Sequence, residues 1–132
     1  MISKKELKKL AKARLKDSEI LFRNRRYDSA TYLCGYAVEL ALKARICRTL
    51  KWTGFPSSNR EFQDYKSLKT HNLDVLLVFS GVEDKIKSNF LSEWSVVTQW
   101  KPEYRYRPLG TENKNTTRNM IDATEKLIVA LR

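Results

Sequence analysis

The chain has 132 residues, 42% of them hydrophobic and 31% charged, and a formal net charge of +11. This length and balance fit one soluble globular domain over 1–132, large enough to bury a core without disulfide or metal. They exclude a membrane span, because no apolar run approaches the roughly 20 residues a bilayer requires. The charged start, MISKKELKKL, has no apolar signal-peptide region, so a cytoplasmic setting is expected. Charge is concentrated early: residues 1–52 hold 14 Lys and Arg against 5 Asp and Glu, and the remainder holds 12 against 10. That asymmetry suggests an anionic partner.

In chain order, Ser3 and Glu6 fit a capping box. Leu7, Leu10, Ala11, Arg14, Ser18 and Leu21 then keep helical spacing to about Asn24. Opposite them, Lys5, Lys9, Lys12, Lys16 and Arg23 form a row within roughly 60° of arc. Such a row is either a solvated face or a contact for RNA or an acidic partner. Phosphate neutralisation would drive RNA binding, and with no base-reading motif beside it no sequence specificity follows.

Asp28 is the expected N-cap of a second helix running to about Leu50. The short NRRYD connection implies an antiparallel hairpin. Residues 53–69, with Gly54 and Pro56, read as a polar loop with one helical turn near REFQDY. Thr70 is the expected cap of a third helix carrying Leu73, Leu76, Leu77 and Phe79 and ending at Gly81. A fourth, from about Glu83 to Gln99, buries Ile86, Phe90, Trp94 and Val97. The second long loop, WKPEYRYRPLGTENKN, precedes a last helix that starts at Asn115 to Thr117, with Met120, Ala123, Leu127 and Leu131 on one face. The fold class is therefore all-α, a five-helix up-and-down bundle built on a long antiparallel hairpin.

The second helix is apolar almost all round. On a helical wheel its polar residues gather into one stripe of Asp28, Tyr32, Gly35, Tyr36, Glu39 and Lys43. Glu39 and Lys43 stand four apart in the favoured order for an ion pair. The stripe is either a structural salt bridge beneath two tyrosines or one wall of a groove where Lys43 meets phosphate. Burying either ion alone is costly. Cys34 and Cys47, on the same helix about 20 Å apart, are too distant to bridge and read as reduced buried thiols. In the late loop, Trp100, Tyr104 and Tyr106 alternate with Lys101, Arg105 and Arg107. Such rings can stack bases or anchor the loop to the bundle.

YDSATYLCGYAVELALKARI, followed by THNLDVLL and then W…RYRP, resembles the HEPN domain family (higher eukaryotes and prokaryotes nucleotide-binding). Tyr27 and Ala30 match that family's Tyr-x-x-Ala opening, and Glu39 and Lys43 its Glu-x-x-x-Lys centre. Thr70, His71 and Leu73 match its Thr-His-x-Leu element, and Arg105 with Tyr106 an Arg-Tyr element of the late loop. The resemblance implies a helical bundle, a homodimer and a nucleotide- or RNA-associated role. It also makes Glu39, Lys43, His71, Tyr104, Arg105 and Tyr106 the groove candidates.

Many members are metal-independent ribonucleases with an Arg four to six residues before a His. The His moves protons and the Arg steadies phosphate charge. Here the only histidine is His71, and Asp64, Tyr65 and Lys66 occupy the positions where Arg is required. Lys66 lacks the planar fork of Arg. The motif is absent in its usual form, and His71 reads as a residue at a helix start. No catalytic residue, cofactor or metal site is expected: one His and two Cys on one helix cannot surround an ion, and the glycines are too scattered for a phosphate loop. The leading expectation is a non-catalytic subunit paired with a nucleotidyltransferase in a toxin–antitoxin or defence module. The alternatives are an endoribonuclease with a diverged site using Lys66, His71 or Arg105, and a structural homodimer that binds only protein.

Overall fold

The computed structural model describes all 132 residues. Six helices carry the fold: α1 Lys4–Arg23, α2 Tyr27–Leu50, α3 Leu73–Ser80, α4 Glu83–Asn89, α5 Leu91–Val97 and α6 Lys114–Ala130. The only sheet pairs β1, Ile2–Ser3, antiparallel with β2, Gly54–Phe55. Short 3₁₀ turns occupy Lys66–Leu68 and Pro102–Tyr106. The all-α bundle expected from periodicity is what forms. No helix is long and apolar enough to cross a membrane.

α1 starts where expected, with Ser3 Oγ accepting from the Glu6 amide at 3.1 Å. It ends without glycine. Arg25 takes a left-handed φ of 59°, while the amides of Arg25 and Arg26 return to the carbonyls of Phe22 and Leu21 at 3.0 and 2.9 Å. That arrangement closes the last carbonyls of the helix. The same device ends α2, with Lys51 at φ 57° and the Trp52 amide on the Cys47 carbonyl at 2.8 Å.

Two expected caps differ from the observed ones. Asp28 lies inside α2, whose N-cap is Arg26, because its carboxylate is drawn to a distant loop described below. α3 is capped by Asn72, which accepts from the Val75 amide at 3.2 Å, and Thr70 instead holds the Asn72 amide at 3.0 Å. The expected helix over Glu83–Gln99 bends at Phe90, φ −134° and ψ 32°, giving α4 and α5. A straight helix would set Ile86 and Trp94 roughly 80° apart around its axis. The bend, after the weak helix formers Ser88 and Asn89, lets both be buried. α6 opens at Asn113 with a reciprocal cap to Thr116.

α2 is the hub. It packs against α1, α3 and α6 and touches the late 3₁₀ turn, and it buries residues on every side. A cluster of 28 buried residues draws on all six helices and β2. The small α2 residues Ala30, Ala37, Ala41 and Ala44, all buried, allow close helix approach. Two pairs of polar groups meet inside: Thr31 Oγ1 and Thr117 Oγ1 at 3.0 Å, and Cys34 Sγ and Ser18 Oγ at 3.4 Å, whereas the buried Thr124 hydroxyl has no partner. Both cysteines are free and buried. Burial pushes the Cys34 thiol up to about 11.

Candidate functional site

The polar stripe of α2 faces inward, beneath the late loop and the segment leading into α3. Asp28, at its start, accepts the amides of Gly110 and Glu112 at 2.7 and 2.8 Å and so holds the far end of the loop. One turn on, the Tyr32 carbonyl accepts the indole N–H of Trp100 at 3.0 Å, and the two rings lie 5.9 Å apart. Trp100 is buried because Gly35 has no side chain. A Cβ there would sit 2.1 Å from the indole ring.

A further turn on, Glu39 is 2% exposed. Its Oε2 accepts from Lys43 Nζ at 3.0 Å and its Oε1 lies 2.8 Å from His71 Nδ1. Lys43 is mostly covered, with its ammonium 5.3 Å from the centroid of the Phe55 ring. The carboxylate therefore spends one oxygen on each partner, and Lys43 is committed rather than free. The His71 ring is 63% exposed, which leaves its Nε2 edge turned from Glu39 toward water. The Glu39 contact selects the ring's orientation, as a carboxylate does for a working imidazole.

His71 also lines a cleft of about 430 Å³, whose other walls include Asp74, Thr98, Trp100, Lys101 and Glu103. Asp74 is used up there: it accepts from Trp94 Nε1 at 3.0 Å and Thr98 Oγ1 at 2.9 Å. Lys101 is the exposed cation of this cleft, and His71 is also exposed there.

The late-loop candidates separate into anchored and free. The Tyr104 hydroxyl donates to the Gln99 carbonyl at 2.6 Å, and the Arg107 guanidinium covers its ring at 3.5 Å while pairing with Glu112 at 2.8 Å. Tyr104 is an anchor. Tyr106 is 76% exposed, and the exposed Arg105 sits 5.0 Å over its ring. The phenol of Tyr106 first, and that of Tyr32 second, raise the pKa of Arg105. Arg105 thus stands by Tyr32, seven residues and about 10 Å along α2 from Glu39. Glu39, Lys43 and His71 form one cluster, Arg105 and Tyr106 another, with Trp100 between them.

Lys5, Lys9, Lys12, Lys16 and Arg23 are all exposed, and none takes part in an ion pair. They line neither cluster. No three His, Cys, Asp or Glu side chains gather as metal ligands. Sequence reasoning placed Gly35 in the stripe without a task. An isolated glycine inside a strong helix is the signal of close approach, and Trp100 is what approaches. The loop latch formed by Asp28 carried no comparable signal.

A family model described as the HEPN domain matches residues 5–55. Over that stretch the chain is similar to the HEPN family. The match spans α1, α2 and β2, the hairpin that carries the Glu39–Lys43 pair. No curated protein and no solved structure matches the chain. The HEPN match points to a role connected with nucleotides or RNA.

Proposed function

We propose that this protein is a non-catalytic nucleotide- or RNA-binding subunit whose ligand face is the late loop and the cleft beside it. The observation that carries this reading is the free Arg105–Tyr106 pair, exposed next to a loop that is otherwise fastened. A ring with an open face stacks on any base, and a guanidinium beside it meets the phosphate. Lys101 extends the same positive edge into the cleft, beside His71. The finer reading is a homodimer working beside a nucleotidyltransferase in a toxin–antitoxin or defence module. The family resemblance supports it.

The test is fluorescence anisotropy with a labelled single-stranded RNA over a salt series. Tyr106→Ala should weaken binding by about 1–3 kcal/mol, the worth of one stacked base. Arg105→Ala should reduce the slope of log affinity against log salt by about 0.7. If neither variant moves the affinity, the late loop is not the ligand face.

The 2.8 Å contact between Glu39 and His71 favours a second reading, an endoribonuclease with a diverged site. In it, His71 Nε2 would take the proton of the ribose 2′-hydroxyl as that oxygen bonds to the adjacent phosphorus, and would hand the proton to the 5′ oxygen as its bond to phosphorus breaks, while Glu39 holds the ring. RNA cleavage by the purified protein that disappears in His71→Ala would establish it. Intact RNA after prolonged incubation with the wild type would remove it.

A further inference from the structure

A second cavity lies away from the cleft and shares no residue with it. α1, α2 and the end of α6 enclose about 280 Å³, walled by Ala11, Ala41, Ala44, Ile128 and Leu131 and rimmed by Lys8, Lys12 and Arg132. The five wall residues are each less than 10% exposed, whereas the three rim cations are exposed and no acidic residue lines the cavity. Neither lysine has an ion-pair partner. Arg132 is held in position through its carbonyl oxygen, which accepts from Arg45 Nη1 at 2.8 Å and Arg48 Nη1 at 2.9 Å.

We infer that this cavity binds a small anionic amphiphile, with an aliphatic body of about eight carbons against the alanine, isoleucine and leucine walls and a carboxylate or phosphate head among Lys8, Lys12 and Arg132. The walls give water few partners, and the volume is about nine times water's share of the liquid, roughly 30 Å³. An apolar body therefore gains by displacing water from it. A nucleobase does not fit this chemistry: no wall side chain accepts or donates a hydrogen bond, so its polar edge would be buried unpaired. No aromatic ring is present to stack on one. A second copy of the chain would bring its own excess positive charge to the cationic rim. An anion on a short aliphatic tail satisfies both walls and rim.

The experiment is methyl NMR of the full chain titrated with octanoate, octyl phosphate, 1-octanol and AMP. Octanoate or octyl phosphate should give saturable shifts at Ala11, Ala41, Ala44, Ile128 and Leu131 with Kd below about 1 mM. Which of the two binds tighter identifies the head group. 1-Octanol should bind at least about tenfold more weakly, and Lys8→Gln with Lys12→Gln, both exposed, should weaken the anions by about tenfold. Ala44→Leu, which fills the cavity, should abolish the shifts. If Ala44→Leu does not fold, the titration of the wild type and the double lysine variant decides alone. Absence of saturable shifts with both anions, shifts at other methyls, octanol equal to octanoate, anion binding unchanged in the lysine variant, or AMP binding at these methyls would each overturn the assignment.

Discussion

Replacing Gly35 with Ala is the most direct test of how the late loop is seated on α2. The added Cβ would lie 2.1 Å from Cδ1 and Cγ of Trp100 and 2.3 Å from Cδ2, well inside any permitted contact. Backbone and ring cannot both stay, so the ring must leave a site in which the residue is 3% exposed. Re-exposing a large side chain costs about 1.5–3 kcal/mol. Losing the bond from Trp100 Nε1 to the Tyr32 carbonyl adds about 1 kcal/mol. Ala in place of Gly within a helix returns about 1 kcal/mol. The net loss is about 1.5–3 kcal/mol, which at this size lowers the melting temperature by about 5–15 °C. Urea and thermal melts followed by far-UV circular dichroism measure it. The same substitution in a Trp100→Ala background should be stabilising, because the obstacle is gone and only the helix gain remains. If Gly35→Ala destabilises the Trp100→Ala protein as much as the wild type, the ring is not what the glycine accommodates.

Three further outcomes follow from the same stripe and its surroundings. Glu39→Ala strands the mostly covered Lys43 and should cost about 3–5 kcal/mol, whereas Glu39→Gln combined with Lys43→Met should cost much less; chemical denaturation of the three proteins checks the order. Asp28→Ala frees the amides of Gly110 and Glu112 and should speed their hydrogen exchange, with a loss of about 2 kcal/mol, while exchange in α3 stays unchanged. Glu125 has its pKa raised, by partial desolvation first and by neighbouring Glu19 second. The folded state therefore holds this proton more tightly than the unfolded state, and stability falls as pH rises through the folded value. Glu125→Gln should be more stable than the wild type at neutral pH, with the advantage shrinking as pH falls through the raised folded value and gone below the ordinary carboxylate range. An advantage independent of pH would contradict that.

The hairpin, the all-α class, the start of α1 and the end of α3 were readable because each rests on local chemistry: Ser3 ahead of a periodic apolar face, Gly81 with its left-handed φ. The turns at Arg25 and Lys51 were less readable, since neither position holds the glycine that usually marks a left-handed residue. The kink at Phe90 and the shift of the α3 cap from Thr70 to Asn72 depend on which side chains the core accepts, and no short window contains that information. The stripe on α2 was visible as periodicity, and so was the spacing that pairs Glu39 with Lys43. That His71 would occupy the other oxygen of Glu39, 32 positions on, was not. Nor was the division of the late-loop rings into the anchored Tyr104 and the free Tyr106, because both sit in the same alternating pattern. Tertiary contacts alone separate them.

The two-residue ladder between β1 and β2 has its own effect on the molecule. Ile2 faces Phe55 and Ser3 faces Gly54, at the end of the hairpin opposite the turn at Arg25. The paired helices are thus fastened at both extremities, once by covalent chain and once by backbone bonds. A protease nick at the exposed Arg25 tip would leave two fragments that remain clasped, and the bundle would survive a cut in its own central connection.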